Sequence, residues 1–258
     1  MRIAVVSDVH GNAAALEAVL RDIPEDCDAI WNLGDTVGYG PDPARCMDLL
    51  AARAPRVTLV GNHDLACIGQ LDTSLFNLVA RQATDWTAKQ LDDEHRQTLA
   101  SYPPTAVAAD ATLAHGSPRS PIWEYVISAE IATDNMSAFA TQLCFVGHTH
   151  VAAVATTSGD SSRIRFRRLA GGSVVDVASD RAIINPGSVG QPRDGDPRAA
   201  YLIFDVDRAM VEMRRVDYAI KTTQKRIVAA GLPEVLGVRL ALGRRLGLGT
   251  ADTARFAE

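Results

Sequence analysis

The chain has 258 residues and a mass of 27.6 kDa, enough for one large domain or two small ones with a sizeable buried core. A hydrophobic fraction of 47% and a charged fraction of 22% are ordinary for a globular protein in water. The net charge of −5 and pI near 5.7 argue against stable nucleic-acid binding through bulk positive charge. No apolar run approaches the ~20 residues that cross a bilayer, so no membrane partner is expected.

Ile3 to Val6 reads as a buried strand that reaches Asp8 at once, leaving no room for a signal peptide, and a cytoplasmic location is expected. Asn12 is suited to cap a helix in which Leu16, Val19, Leu20 and Ile23 recur at helical spacing, and Pro24 ends it. Asp28 to Leu33 is expected as a second buried strand and Pro43 to Ala52 as a second helix after the Pro41-Asp42-Pro43 turn. Arg56 to Val60 makes a third strand, and this β-α-β-α-β opening favours a parallel sheet. Residues 74–100 read as helical cover for one side of a site. Thr105 to Ala109 and Thr112 to His115 form a hairpin about Asp110, and Ser128 to Phe139 reads as a further helix. From Leu143 onward strands dominate, over Val151 to Thr156, Arg163 to Leu169, Ala182 to Ile184, Ala199 to Val206 and Val211 to Val216. A parallel half and a largely antiparallel half, both apolar, predict two sheets packed face to face with helices outside. With no repeat or clean linker, one domain is expected over residues 1–258, with a helical extension at about 217–258. Within it, Leu232 to Leu248 reads as an amphipathic helix packed on its own domain, a membrane or partner surface being the competing reading. Gly237, Gly243 and Gly247 argue against a long helix there.

Five of the six histidines fall in five short polar motifs: Asp8-Val9-His10-Gly11-Asn12, Gly34-Asp35, Gly61-Asn62-His63-Asp64, His115-Gly116 and Gly147-His148-Thr149-His150. Most of them close a short apolar run, and open sheets present functional groups at the carboxyl ends of their strands. The set holds enough oxygen and nitrogen for two metal ions, which favours a dinuclear centre over separate core histidines. Asp8 and His10, two apart, share one side of an extended strand end, and His148 and His150 repeat that spacing. The Asp35 carboxylate has two oxygens with which to bridge two cations. Asn62 offers a neutral oxygen, whereas the adjacent His63 must diverge from it and is a candidate acid or base. Asp64 is placed to fix the His63 tautomer and raise its pKa. The cysteines Cys27, Cys46, Cys67 and Cys144 form no Cys-x-x-Cys pair and read as small thiols in a reducing cytosol. Arg163, Arg165 and Arg167 alternate with Ile164 and Phe166, the pattern of a solvated strand face that guards an edge. His95, outside the motifs, is expected at the surface. Arg193, in a Gly- and Pro-rich stretch, is a candidate phosphate contact, with a plain surface loop as the competing reading.

The ordered motifs resemble the calcineurin-like metallophosphoesterase superfamily from Asp8 to about Arg198. The strings Gly34-Asp35-Thr36-Val37-Gly38-Tyr39-Gly40-Pro41, His115-Gly116-Ser117-Pro118 and Asn185-Pro186-Gly187-Ser188-Val189-Gly190-Gln191-Pro192-Arg193 resemble its bacterial and archaeal phosphodiesterase-like branch. The resemblance implies a four-layer α/β/β/α sandwich of two mixed sheets. It puts Asp8, His10 and His150 on one metal, Asp35 between two, and Asn62, His115 and His148 on the other, with His63 catalytic and oriented by Asp64. Two divalent transition-metal ions are implied, Mn first, with Fe, Ni, Co or Zn also suited to such mixed ligands. The implied activity is in-line attack of a metal-bridging hydroxide on a phosphate ester, with His63 protonating the leaving oxygen. The protein serine/threonine phosphatases of the superfamily carry Asp-Arg-Gly where this chain has Gly38-Tyr39-Gly40, and Gly-Asn-His-Glu where it has Gly61-Asn62-His63-Asp64. A small phosphorylated substrate, diester or nucleotide-like, is therefore favoured over a phosphoprotein. A phosphomonoesterase of the protein-phosphatase kind and a non-catalytic scaffold are the competing readings.

Overall fold

The computed structural model describes residues 1–158 and 161–246. In chain order the first part runs β1 (Arg2–Val6), α1 (Ala13–Asp22), β2 (Ala29–Asn32), α2 (Pro43–Ala51), β3 (Val57–Thr58) and α3 (Asn62–Cys67). There follow α4 (Leu78–Ala88), α5 (Asp93–Ser101), β4 (Thr105–Ala108), β5 (Ala111–Ala114), α6 (Ala129–Asn135) and β6 (Leu143–Val146). The last part comprises β7 (Ala152–Ser158), β8 (Ser161–Arg168), β9 (Val174–Asp176), β10 (Ala182–Pro186), β11 (Ala199–Asp205), β12 (Met210–Val216), α7 (Ile220–Ala229) and α8 (Glu234–Leu242).

The strands form two six-stranded mixed sheets, ordered β3-β2-β1-β11-β12-β9 and β4-β5-β6-β10-β7-β8. The parallel and antiparallel halves of the sequence do not map onto one sheet each. The parallel trio β1, β2 and β3 is completed by β11 lying antiparallel to β1, while β5, β6 and β10 make a second parallel set. Alternation along β1 sends Ile3 and Val5 into the space between the sheets and Ala4 and Val6 toward α1 and α2. Trp31 and Phe145 meet across the sheets with ring centroids 5.6 Å apart. On the far side, Cys144, Val146 and Ile183 pack with Ala132 of α6. The result is the expected four-layer α/β/β/α sandwich.

Several elements differ in extent from the sequence reading. The third strand keeps only Val57 and Thr58, because Val60 N–H turns away to bond Pro103 O (3.0 Å). The span 74–100 splits into α4 and α5 at Asp92, whose side chain caps α5 by accepting from His95 N (2.9 Å). His95 is half-buried rather than fully at the surface, its ring Nε2 lying 3.2 Å from Asp48 Oδ1. Two short elements, α3 and β9, carry too few residues to show a period. The basic strand β8 lies at the rim of its sheet, where Arg163, Arg165 and Arg167 face solvent. Asn12 caps α1 as its sequence predicts, and also accepts from Thr223 Oγ on α7 (3.0 Å). The helix read over Leu232 to Leu248 stops at Gly243, which takes the left-handed conformation (φ 59°) of a helix C-terminus. Gly247 and Leu248 lie outside the described residues. Helices α7 and α8 pack through Ile227, Leu236 and Leu240 onto Tyr39, so the extension backs directly onto the site.

Candidate metal centre

The carboxyl ends of β1, β2, β3, β5 and β6 gather at one edge of the sandwich, where the chain places Asp8, Asp35, Asn62, His115 and His148. Backbone hydrogen bonds stitch these ends together: Asp8 N to Gly34 O (3.0 Å), His10 N to Asp35 O (2.9 Å) and Gly147 N to His115 O (2.8 Å). Asp8, His10, Asp35, His148 and His150 all adopt positive φ, between 48° and 64°. For residues with a Cβ this conformation costs roughly 1–2 kcal/mol each, and such strain gathers at functional sites. Gly61 is required by close approach, since a Cβ there would run into the Asp35 carboxylate.

Two buried groups result, Asp8 with His10 and His150, and Asp35 with His115 and His148. Their hydrogen bonds fix which atoms face inward. His10 Nδ1 donates to Val37 O (3.1 Å) and His150 Nδ1 to Gln191 O (2.6 Å), so each Nε2 presents a lone pair. Those two Nε2 atoms lie 3.0 Å apart. Burial holds both rings' pKa values below the usual histidine range, leaving neither ring a proton to share between them. In the second group His115 Nδ1 is held by Leu33 O (2.9 Å) and His148 Nε2 by Trp123 O (3.2 Å). His115 Nε2 and His148 Nδ1 then face each other at 3.2 Å, with Asn62 Oδ1 3.3 Å from His115 Nε2.

Asp8 Oδ1 and Asp35 Oδ2 are buried and have no hydrogen-bond partner among the described residues. Asp35 Oδ2 lies 3.6 Å from His10 Nε2 and 3.3 Å from His115 Nε2, between the two groups. Burial alone would push both aspartates' pKa values up, but His150 beside Asp8 and His115 beside Asp35 reverse this and keep them ionised. Burial also lowers His148, to about 3, with His115 adding to the effect. At His115 burial is outweighed by the Asp35 charge, and its pKa is pushed up to about 9. A buried nest of acceptors in which His115 alone holds an extra proton is costly unless a cation fills it. The donor set therefore fits divalent metal ions, with the His115 proton displaced on binding.

His63 lies just outside this nest. Its ring stands between Tyr39 and Phe76, at centroid distances of 4.3 and 4.8 Å, and 5.0 Å from His10. Burial pushes its pKa down to about 4. Asp64 does not orient it. The two Asp64 oxygens accept from Val37 N and Gly61 N (3.0 Å each), while His63 Nδ1 has no partner among the described residues. Asp64 sits at the third position of α3, a geometry that turns its carboxylate back onto the helix start and away from the neighbouring ring. Its own pKa is pushed up to about 7, first by burial and then by Asp35. Arg193 lies over the Tyr39 ring (5.8 Å), and its backbone N–H donates to His150 O (3.1 Å).

The sequence reading missed four backbone carbonyls, those of Leu33, Val37, Trp123 and Gln191, because carbonyl direction leaves no mark in residue identity. It also missed Glu124, which accepts from Ser117 Oγ (2.6 Å), Arg119 and Asn135 Nδ2 (2.7 Å) and so pins the segment holding Trp123 O. Tyr39, Phe76, Trp123 and Tyr125 line a cavity of about 600 Å³ that opens from Asn62 and His63. Aromatics spread so far apart in sequence form no motif.

Comparison with known proteins agrees with this geometry. Residues 1–209 match the model of the calcineurin-like phosphoesterase superfamily domain. An uncharacterised protein of Methanocaldococcus jannaschii is 38% identical over 248 residues, covering 94% of this chain and 98% of its own length. The crystal structure of a metallophosphoesterase from Sphaerobacter thermophilus is 52% identical and superposes with a TM-score of 0.86, over 94% of this chain and all of that one. A hypothetical protein from Pyrococcus horikoshii shares the fold at 20% identity, with a TM-score of 0.78 over 95% of this chain and 99% of its own. With a family model spanning most of the chain and relatives covered almost end to end, this protein belongs to the calcineurin-like phosphoesterase superfamily.

Proposed function

We propose that the protein is a phosphoesterase that uses two divalent transition-metal ions to hydrolyse small phosphodiesters or nucleotide-like esters. The observation that carries this is the pair of His10 and His150 lone pairs aimed at each other across 3.0 Å, with both Nδ1 protons committed to carbonyls. Asp8, His10 and His150 would hold one ion, Asn62, His115 and His148 the other, and Asp35 would touch both. Carboxylate, amide and imidazole together suit Mn first, and Fe, Ni, Co or Zn next. When bound, such ions polarise a phosphate ester and make hydroxide available near neutral pH.

The chain's own groups then bind and steer the substrate. Arg193, beside His150 and the cavity, meets the phosphate charge. His63, at the junction of metal nest and cavity, would donate a proton to the departing oxygen once the negative charge of a bound phosphate raises its pKa from about 4, a role typically worth about 10²–10⁴-fold. Asp64 serves by holding the Val37 and Gly61 backbone. Tyr39 packs between His10 and His63 where the protein phosphatases carry an arginine, which favours small substrates over phosphoproteins. The free cysteines, three of them buried, fit the reducing cytoplasm expected from the sequence. Among the described residues no helix is long and apolar enough to cross a membrane.

The test is metal stoichiometry on Mn-loaded protein, combined with turnover of bis(p-nitrophenyl) phosphate and p-nitrophenyl phosphate. Two ions per chain and a faster diester are expected. One ion per chain, or loaded protein that cleaves neither ester, overturns the proposal. A much faster monoester reverses the substrate preference alone.

A further inference from the structure

The cavity beside His63 has walls unlike those of the metal nest. Tyr39, His63, Phe76 and Trp123 form an aromatic run leading outward, with centroids of 4.3, 4.8 and 5.9 Å between successive rings. Tyr125 stacks on His148 at 4.0 Å and closes the side nearer the histidine groups. Trp123 remains 36% exposed, so its ring is open to a further flat partner. A volume of about 600 Å³ sits amid the ~300–1,000 Å³ typical of small-molecule sites. Phosphate alone would leave most of it empty.

Aromatic walls accept two kinds of group, flat heteroaromatic rings and quaternary ammonium ions. The charges decide between them. Arg193 and Arg245 line this cavity, and no described lining residue is an aspartate or glutamate. Two guanidinium groups repel a cationic headgroup and favour an anionic ester with a neutral ring attached. Building on the phosphoesterase reading, we propose that this cavity is a nucleoside subsite. The base stacks on Trp123 and Phe76, and the ester phosphorus lies toward Asn62 and His63.

Binding tests this without turnover. Calorimetry on Mn-loaded protein should show a nucleoside 5′-monophosphate binding at least ~10-fold more tightly than ribose 5-phosphate, as expected for one stacked base. Trp123→Ala should erase most of that difference, and Trp123→Phe should restore it. The side-chain change leaves the Trp123 carbonyl that orients His148 in place. In turnover, the ratio of kcat/KM for thymidine p-nitrophenyl phosphate to that for methyl p-nitrophenyl phosphate should fall at least ~10-fold in Trp123→Ala. Equal affinity for the two monophosphates, or tighter binding of glycerophosphocholine, overturns the subsite. Base-dependent binding with no hydrolysis of any ester would keep the subsite and remove the phosphoesterase reading instead.

Discussion

Asp64→Asn should damage metal binding and stability rather than proton transfer, because its carboxylate holds backbone and not the His63 ring. Asp64 is fully buried, and its two oxygens accept from Val37 N and Gly61 N at 3.0 Å. Asparagine keeps one acceptor and turns an NH₂ toward the other N–H, stranding one buried donor at a cost of about 1–3 kcal/mol. For a chain of this size 1 kcal/mol moves Tm by roughly 2–4 °C, so a fall of about 2–12 °C is expected. Asp64→Ala strands both donors and should cost about twice as much. The released backbone is that of the metal nest. The Val37 carbonyl orients His10, and Gly61 immediately precedes Asn62. Loss of such supporting contacts typically weakens metal binding about 10–100-fold. The assay is thermal unfolding with and without Mn, chelator-competition titration, and kcat at saturating metal over aryl and alkyl leaving groups. A native Tm and native metal affinity, with a kcat defect that grows with leaving-group pKa, would show Asp64 acting through His63 and refute this reasoning.

Asp35→Ala should release both ions together, since Asp35 Oδ2 lies between the two histidine groups, and metal analysis showing one ion retained at full affinity would contradict that placement. His63→Asn should keep both ions while kcat falls about 10²–10⁴-fold with alkyl leaving groups and much less with nitrophenolate; a uniform loss over all leaving groups would remove the proton-donor role. At Glu124 burial pushes the pKa up, but Arg119, Ser117 and Asn135 reverse this and hold it at about 2, below its ordinary 4.5. A depressed carboxylate stabilises the fold above pH ~4.5 and loses that contribution as pH falls toward 2, so Tm of Glu124→Gln should drop less steeply over that window than wild type. Ile227→Ala should cost about 2–5 kcal/mol and lower kcat through Tyr39, while unchanged activity would separate α7 from the site.

The sequence by itself determined which residues could serve as ligands and at which strand ends they stand. Apolar runs of fixed length followed at once by Asp, Asn or His are local patterns, legible without a fold. The same locality made Asn12 readable as a cap. Extents were read less well where a distant partner sets them, as with the third strand, cut short when Val60 N–H bonds Pro103. Only the tertiary structure decided that β11 completes the first sheet beside β1, because strand pairing across about 200 residues depends on the whole packing. It alone turned Asp64 from its neighbour His63 to the backbone of Val37, which adjacency in sequence had concealed. It alone chose the lone-pair nitrogen of each imidazole, through carbonyls of Val37, Gln191, Leu33 and Trp123 that are far away in the chain. Residue type states what a side chain can do; where it points is set by hydrogen-bond partners that only the folded chain brings near.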